Sequence, residues 1–263
     1  MSDTKPAPQK RLHILVAVPT MGGVMKSKTA QTLFQLCKIL MAHGHNPVMI
    51  NIDNSDIVTV RNFYANHVLN SERLDALLFV DSDMDFDPRL VLRMIDLDVS
   101  IAAAAYTTKE FNFEKFTAAI QEHGDIARAR AQAGRFNVLT SFDISKPVAI
   151  SKRDGFYTLA AAGMGLCLIR KKALQAMVKN GVVEKRVDVR DSVSHEVWGF
   201  FDMYRLNDVL FLEDYSFCYR WTQLLGRPLW VNVDTWVRHI GEFEYSAIYQ
   251  PVIDRELVPL KKD

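Results

Sequence analysis

The sequence predicts an α/β protein with a mostly parallel sheet and helices on its faces. Three observations carry this prediction. Short, almost wholly apolar runs recur through the first half of the chain. Between them lie stretches with apolar residues at helical spacing and recognisable start and stop signals. The two kinds of segment alternate, and a β-α-β rhythm calls for parallel strands joined by helical crossovers.

Leu12 to Val18 is the first apolar run and ends at Pro19. Thr29 to Met41 carries Leu33, Leu36 and Leu40 on one helical face and stops at Gly44. Val48 to Ile52 reads as a second strand and Asp56 to Leu69 as a second helix. Ala76 to Val80, Pro88 to Ile95 and Val99 to Ala105 continue the series as strand, helix and strand. The second half is less regular. Glu114 to Ala133 reads as one alanine-rich helix, and Phe136 to Ile150 as a strand-like hairpin region. Tyr157 to Ile169 is apolar and small, with Gly163 and Gly165 inside it. Lys171 to Lys179 is a short helix before Gly181, and Val182 to Asn207 a long charged and aromatic loop. Glu213 to Leu225 is a helix, Leu229 to Val233 a strand, and no regular pattern is read beyond His239.

Composition narrows the class. The 263 residues suit one large or two small domains, and a 49% hydrophobic content is ample for a core. A net charge of +1 gives no overall field toward nucleic acid or anionic membrane. No apolar run approaches the roughly 18 residues of a membrane span. Met1 to Lys10 is polar, holds two prolines and lacks a signal-peptide core, so it reads as a flexible leader. Cys37, Cys167 and Cys218 are widely spaced in apolar surroundings and read as buried thiols in a cytoplasmic setting.

The most informative segment is Leu77-Leu78-Phe79-Val80-Asp81-Ser82-Asp83-Met84-Asp85-Phe86-Asp87. Residues two apart in an extended chain share a side, so Asp81, Asp83 and Asp85 would face one point. Clustered carboxylates call for a cation. Magnesium and manganese accept oxygen ligands while keeping waters and substrate phosphates. The first reading is therefore a divalent metal holding a diphosphate at the carboxyl end of a strand, where ligands of such sheets bind. The plainer reading is a polar turn that caps the helix starting at Pro88. Both are kept: Asp81 and Asp83 as the metal or nucleotide pair, Asp87 as a cap, and Asp85 as either.

Other residues stand out singly. Arg61 falls on the apolar stripe of Ile57, Val60, Tyr64 and Val68, so it must find an anion or snorkel to water. The anion would be Asp81 or a ligand phosphate, and Asn62 lies beside it. Gly163 and Gly165 inside a strand-like run suggest close approach of a ligand or of another backbone. Glu213 and Asp214 open a helix, as dipole partners or as a general base. Arg220, about two turns on, anchors that helix or reaches a phosphate. His239 is either structural or completes a site that already holds carboxylates.

Taken in order, these segments resemble the GT-A glycosyltransferases, in particular the family 2-like group with its small bacterial and phage-type members. The resemblance runs from about Leu12 to Gly241. Val16-Ala17-Val18-Pro19-Thr20 looks like the first strand and nucleotide loop, and Arg61-Asn62 like the Arg-Asn pair of a subgroup. Phe79-Val80-Asp81-Ser82-Asp83 is similar to the Asp-x-Asp strand, and Ala104 to Lys109 to the segment after the next strand. Ala162-Gly163-Met164-Gly165 is similar to the strand flooring the sugar site. Glu213 to Trp221 resembles the Glu-Asp helix, and His239-x-Gly241 the late metal-binding histidine.

The resemblance implies a GT-A type, Rossmann-like fold in one catalytic domain, 11–241. Its nucleotide-binding half would be 11–110, its acceptor-binding half 111–241, and 242–263 a tail. It implies transfer of a sugar from a UDP- or GDP-linked donor with Mn2+ or Mg2+ as cofactor, leaning to inversion. Asp83 and His239 would ligate the metal, and Asp81 would reach ribose, or metal through water. Pro19, Thr20, Arg61, Asn62, Ser82, Gly163, Gly165 and Arg220 would line the donor site. Asp214, beside Glu213, would be the base. Trp198, Phe200, Phe201 and Tyr204 in the long loop would contact the acceptor or pack a lid. The acceptor is left open among a saccharide, a protein, a small molecule and a modified DNA base. The paired lysines Lys26 and Lys28 after Gly22-Gly23 depart from most members. Three other classes stay open: a haloacid-dehalogenase-type phosphatase, a sugar-nucleotide pyrophosphorylase, and a non-catalytic sugar-nucleotide-binding module.

Overall fold

The computed structural model describes residues 11–143, 145, 149–190, 193–241, 244–250 and 252–253. The expected leader, 1–10, lies outside them, as does most of the expected tail, 242–263. The first half of the chain forms β1 (His13–Thr20), α1 (Ser27–Ala42), β2 (Asn46–Asp53), α2 (Ile57–Asn70), β3 (Ala76–Val80), β4 (Met84–Phe86), α3 (Arg89–Asp96), β5 (Ile101–Ala104) and β6 (Thr107–Phe111). Next come α4 (Phe113–His123), α5 (Ile126–Ala133), β7 (Gly134–Phe136), β8 (Val138–Leu139), β9 (Lys152–Arg153), β10 (Phe156–Leu159), β11 (Ala161–Ala162), β12 (Leu166–Arg170) and α6 (Lys171–Lys179). The chain then adds β13 (Lys185–Arg190), β14 (Val193–Trp198), β15 (Tyr204–Leu206), β16 (Val209–Phe211), α7 (Glu213–Tyr219), β17 (Leu229–Asn232), β18 (Val237–Ile240) and β19 (Glu244–Ala247).

Eight strands form the central sheet in the order β2-β1-β3-β12-β5-β17-β10-β9. β2, β1 and β3 are parallel, as are β5 and β17. β12 runs antiparallel to both β3 and β5, so those five strands share one direction. β10 opposes β17 and β9 opposes β10, which brings β9 back to it. The sheet is therefore mostly parallel, as the alternation predicts, with β12 and β10 reversed.

Side-chain alternation divides the core into two layers. Leu15 and Ala17 of β1, with Leu77 and Phe79 of β3, face Val60, Tyr64 and Val68 of α2 and Leu174 and Met177 of α6. Ile14, Val16 and Val18, with Leu78 and Val80, face Leu33, Leu36 and Leu40 of α1 and Leu90, Val91 and Met94 of α3. Strands buried on both faces need unbroken apolar sequence, which is why they read so clearly. Caps fix several helix starts. Asp56 accepts from the amides of Val58 and Thr59 ahead of α2, and Asp87 accepts from the amide of Arg89 at the start of α3, the expected capping role.

The second half departs from expectation in three places. The predicted single helix Glu114 to Ala133 breaks into α4 and α5. Gly124 takes a left-handed φ of 65° and the Asp125 side chain starts a new helix. The Tyr157 to Ile169 run is not one strand. It divides into β10, β11 and β12, and β12 inserts between β3 and β5. The predicted loop Val182 to Asn207 holds the hairpin β13–β14 and the strand β15, which pairs with β16. Mixed charged and aromatic strands on a surface hairpin have no buried period to read.

A tight network closes the sheet near β17. Gly155 has φ +79°, and a Cβ there would lie 1.9 Å from Asp234 Oδ2 and 2.6 Å from Arg93 Nη2. Asp234 is held by Arg93 at 3.0 Å and by Asn232 Nδ2 at 2.8 Å. Gly155→Ala should cost about 3 kcal/mol, combining left-handed strain of ~1–2 kcal/mol with loss of these bonds. Gly181, at φ +68° with nothing within 4 Å of a Cβ, should cost only ~1 kcal/mol when changed to Ala. Urea unfolding of the two variants checks the difference, and equal midpoints would show that the Arg93–Asp234 network contributes nothing.

Candidate functional site

The carboxyl ends of β1, β2, β3 and β5 and the amino end of β12 form one rim, where most of the predicted site residues lie. Pro19 and Thr20 end β1 opposite Ile52 and Asp53 of β2. Thr20 Oγ1 donates to the Ile52 carbonyl at 3.3 Å, so a local strand contact uses that hydroxyl. The Lys26 amide donates to the Ser82 carbonyl at 2.9 Å. This bond ties the Gly22-Gly23 loop to the turn that follows β3.

Asp81, Asp83 and Asp85 do not converge. The strand ends at Val80, a turn follows, and β4 begins only at Met84. Alternation therefore fails across the segment, and each carboxylate finds a separate cation. Asp81 pairs with Arg61 at 3.2 Å. Asp83 pairs with Lys109 at 2.5 Å and faces His239 Nε2 at 3.3 Å. Asp85 accepts from Thr32 Oγ1 at 2.6 Å and from Arg238 at 2.8 Å, a structural clasp between α1, β4 and β18. Among the described residues no three His, Cys, Asp or Glu side chains gather where they could hold a metal ion.

Arg61 does what its place on an apolar stripe demands. It is 3% exposed. Its Nη2 donates to both Asp81 oxygens at 3.2 and 3.3 Å, its Nε lies 3.8 Å from Glu213 Oε1, and its plane sits 5.0 Å from the Phe79 ring. Burial alone would lower its pKa, but Asp81 and Glu213 reverse this and leave it above its ordinary value. Nε and Nη1 have no hydrogen-bond partner among the described residues.

The pair Asp83–His239 is the part of the predicted metal set that the fold assembles. His239 lies in β18 opposite Met84 of β4, and the Ile240 amide donates to the Asp83 carbonyl at 2.8 Å. His239 Nδ1 lies 3.0 Å from the Thr107 carbonyl of β6. That carbonyl can only accept, so Nδ1 carries a proton. Nε2 faces Asp83, as a hydrogen-bond donor when protonated and as a candidate metal ligand once that proton is lost. Adjacent ligands of an octahedral ion lie about 3 Å apart at ligand distances near 2.1 Å. The 3.3 Å separation of Asp83 Oδ2 and His239 Nε2 suits two such ligands. Burial acts to raise the Asp83 pKa, but hydrogen bonds from His239 and Lys109 outweigh it and hold the carboxyl below its usual range. Asp81, engaged by Arg61, is not positioned as a third ligand.

Asp214 occupies a different environment. It opens α7, accepts from the Tyr215 amide at 2.8 Å and from Asn137 Nδ2 at 3.3 Å. Burial, reinforced by neighbouring Glu213, raises its pKa to about 6. Asn137 Nδ2 also lies 3.2 Å from the Tyr106 hydroxyl, which accepts from the Gly165 amide at 3.1 Å. The Tyr106 ring meets His239 edge-on at 5.6 Å. Tyr106 thus links the His239 side of the rim to the Asp214 side. It also explains the two glycines. A Cβ on Gly163 would come 2.1 Å from Asn137 Nδ2 and 2.2 Å from the Tyr106 hydroxyl, and one on Gly165 within 3.0 Å of Tyr106 and Asp81. Tyr106 and Asn137 fill the room that was expected for a sugar ring.

The remaining predicted residues hold the 198–202 segment in place. Asn62 Nδ2 donates to Asp202 at 2.7 Å and its Oδ1 accepts from the Phe201 amide at 2.8 Å. Asn66 bonds both amide and carbonyl of Trp198. Arg220 donates to the Asp202 carbonyl at 2.7 Å and lies over Tyr204, so it anchors the segment instead of reaching a phosphate. Phe200 and Phe201 are fully buried. Phe201 stacks on Phe217 at 4.6 Å. Burying each ring stabilises the fold by about 2–3 kcal/mol, so both are core residues and do not serve as acceptor contacts. Trp198 is partly buried against the same core, and Tyr204 stacks on Tyr219 at 4.9 Å.

The sequence assigns no role to Lys109, Asn137 or Tyr106, although Tyr106 and Lys109 lie in the Ala104 to Lys109 segment that carries the resemblance. A polar aromatic ending the buried Ala102 to Ala105 run was a usable signal for Tyr106, because a buried Tyr hydroxyl needs a partner. Lys109 and Asn137 reach the rim through long-range pairing and carry no local sign. Two clefts lie off the rim. One of about 510 Å3, at the opposite end of the sheet, is lined by Asp75, Asp98, Arg170 and Lys172 among others. The other, of about 1180 Å3, lies between α4, α5 and the β7–β8 strand, with Phe136 and Val138 in its lining.

No family model matches the chain, and no curated protein matches it in sequence. Among solved structures it is similar to A197 from STIV, at 13% identity and a TM-score of 0.46, over 88% of this chain and 86% of that one. It is also similar to 4-diphosphocytidyl-2C-methyl-D-erythritol synthase from Anaerococcus prevotii DSM 20548, at 10% identity and a TM-score of 0.37, over 84% and 87%. At these scores the likeness assigns no chemistry.

Proposed function

We propose that the chain is a metal-dependent glycosyltransferase that moves a sugar from a nucleoside diphosphate donor to an acceptor hydroxyl. The observation that carries this reading is the Asp83–His239 pair, oriented by Thr107 and set on the same rim as Asp214, a half-buried carboxylate with a raised pKa. The pair would hold Mn2+ or Mg2+, with the remaining positions left to water and diphosphate oxygens. The metal, when bound, supplies Lewis-acid neutralisation of the leaving diphosphate. Asp81, held in place by Arg61, offers its free lone pairs to donor hydroxyls. Asp214 takes the proton from the acceptor hydroxyl, and Asn137 and Tyr106 hold it in position. This arrangement favours inversion. A phosphatase using Asp81 as nucleophile is less well supported, because Arg61 engages both oxygens of that carboxylate.

Two measurements test the reading. UDP or GDP should raise the melting temperature only with Mn2+ present, by the equivalent of about 2.7 kcal/mol at one hundred times the Kd. Asp83→Asn should abolish the metal-dependent part. A metal-independent shift of the same size, or none with any nucleoside diphosphate, would overturn the proposal.

The pH dependence follows from Asp214. Its base form is present above a pKa of about 6 and is lost as pH falls below it. With Mn2+ and a donor that is turned over, kcat/KM should rise with pH and level off, standing about tenfold lower at pH 5 than at pH 8. Asp214→Asn should remove both the activity and this limb. A flat profile through pH 5 to 7 in the wild type would show that Asp214 is not the base.

A further inference from the structure

A cation of the protein itself already sits on the Asp83 carboxylate. Lys109 Nζ lies 2.5 Å from Oδ2, the same oxygen that His239 Nε2 faces at 3.3 Å. An ammonium and a divalent ion compete for that oxygen, because at contact distance their like charges repel. The strand β6 supplies both parts of this arrangement. Thr107 and Lys109 lie two residues apart in β6. The Thr107 carbonyl fixes His239 while the Lys109 side chain covers Asp83. The Lys109 side chain is 42% exposed, against 21% for Asp83. Its flexible four-carbon stem can therefore carry the ammonium off Asp83 without opening the core.

We infer that Lys109 is a positioning residue that couples metal loading to arrival of the diphosphate. This inference rests on the function proposed above. With no nucleotide present, Lys109 occupies Asp83 and lowers the apparent metal affinity by the fraction of time it does so. When metal and diphosphate arrive together, the metal takes Asp83 and the displaced ammonium pairs with a diphosphate oxygen. Each ligand then strengthens the other's binding by the same factor. The device keeps a bare metal from being held tightly where no donor is present.

The test is a titration of Mn2+ followed by its EPR signal, with and without UDP, on wild type, Lys109→Met, Lys109→Arg and Asp83→Asn. Without UDP, Lys109→Met should bind Mn2+ about tenfold more tightly than wild type, which corresponds to Lys109 covering Asp83 about nine-tenths of the time. UDP should tighten Mn2+ binding in wild type and in both Lys109 variants, because diphosphate oxygens ligate the metal, but by about tenfold less in Lys109→Met than in wild type or Lys109→Arg. A lysine that merely braced the loop would weaken Mn2+ binding when removed. Equal or weaker Mn2+ binding by Lys109→Met, or an unchanged UDP effect, overturns the coupling role. If Mn2+ binds and Asp83→Asn abolishes it, that result leaves the metal reading standing alone. If no protein binds Mn2+ even with UDP, or if Asp83→Asn binds it normally, the metal reading falls and the coupling role falls with it.

Discussion

The candidate site depends on one buried guanidinium. Arg61 projects from the apolar face of α2 and meets Asp81 at the end of β3 and Glu213 at the start of α7. A buried ion pair of this kind is weak evidence for stability, since desolvation offsets much of its attraction. Its effect here is on geometry. It fixes the end of one strand against the start of one helix, and Asp81 and Asp214 owe their positions to that junction. Removing the arginine would leave two carboxylates without their buried counterion.

Beside that junction Asp81, Asp83 and Asp85 each have their own cationic partner. Asp81 goes with Arg61, Asp83 with Lys109 and His239, and Asp85 with Arg238. Among the described residues Asp214 has no cationic partner at hydrogen-bonding distance, and its raised pKa follows from burial and from Glu213. Two carboxylates on one rim thus have opposite character. One is held ionised by Lys109 and His239. The other is poised to exchange a proton near neutral pH. Different surroundings thus give two carboxylates of one rim different acidities.

The aromatic and amide residues between these carboxylates join them into one surface. Tyr106 touches His239 with its ring and Asn137 and Gly165 with its hydroxyl. The glycines at 163 and 165 exist to admit that ring and its neighbour. The asparagines of α2 do similar work at longer range. Asn62 and Asn66 satisfy the backbone of the 198–202 segment and bring Phe201 against Phe217. No helix among the described residues is long and apolar enough to cross a membrane.

Local sequence determined the features that depend on neighbours along the chain. The two-faced apolar strands β1 and β3, the caps Asp56 and Asp87, and the need of Arg61 for an anion all follow from residue type and spacing. Tertiary structure decided whatever depends on where a strand stops and what lies across from it. The chain turns after Val80, so three carboxylates that alternation would align are sent to three partners. β12 enters the middle of the sheet from the far half of the chain, and β18 brings His239 to Asp83 over more than a hundred intervening residues. Lys109, Asn137 and the burial of Phe200 and Phe201 arise from pairings of that kind. Backbone hydrogen bonds between distant strands set them, and no periodicity within a short window encodes which strands will meet.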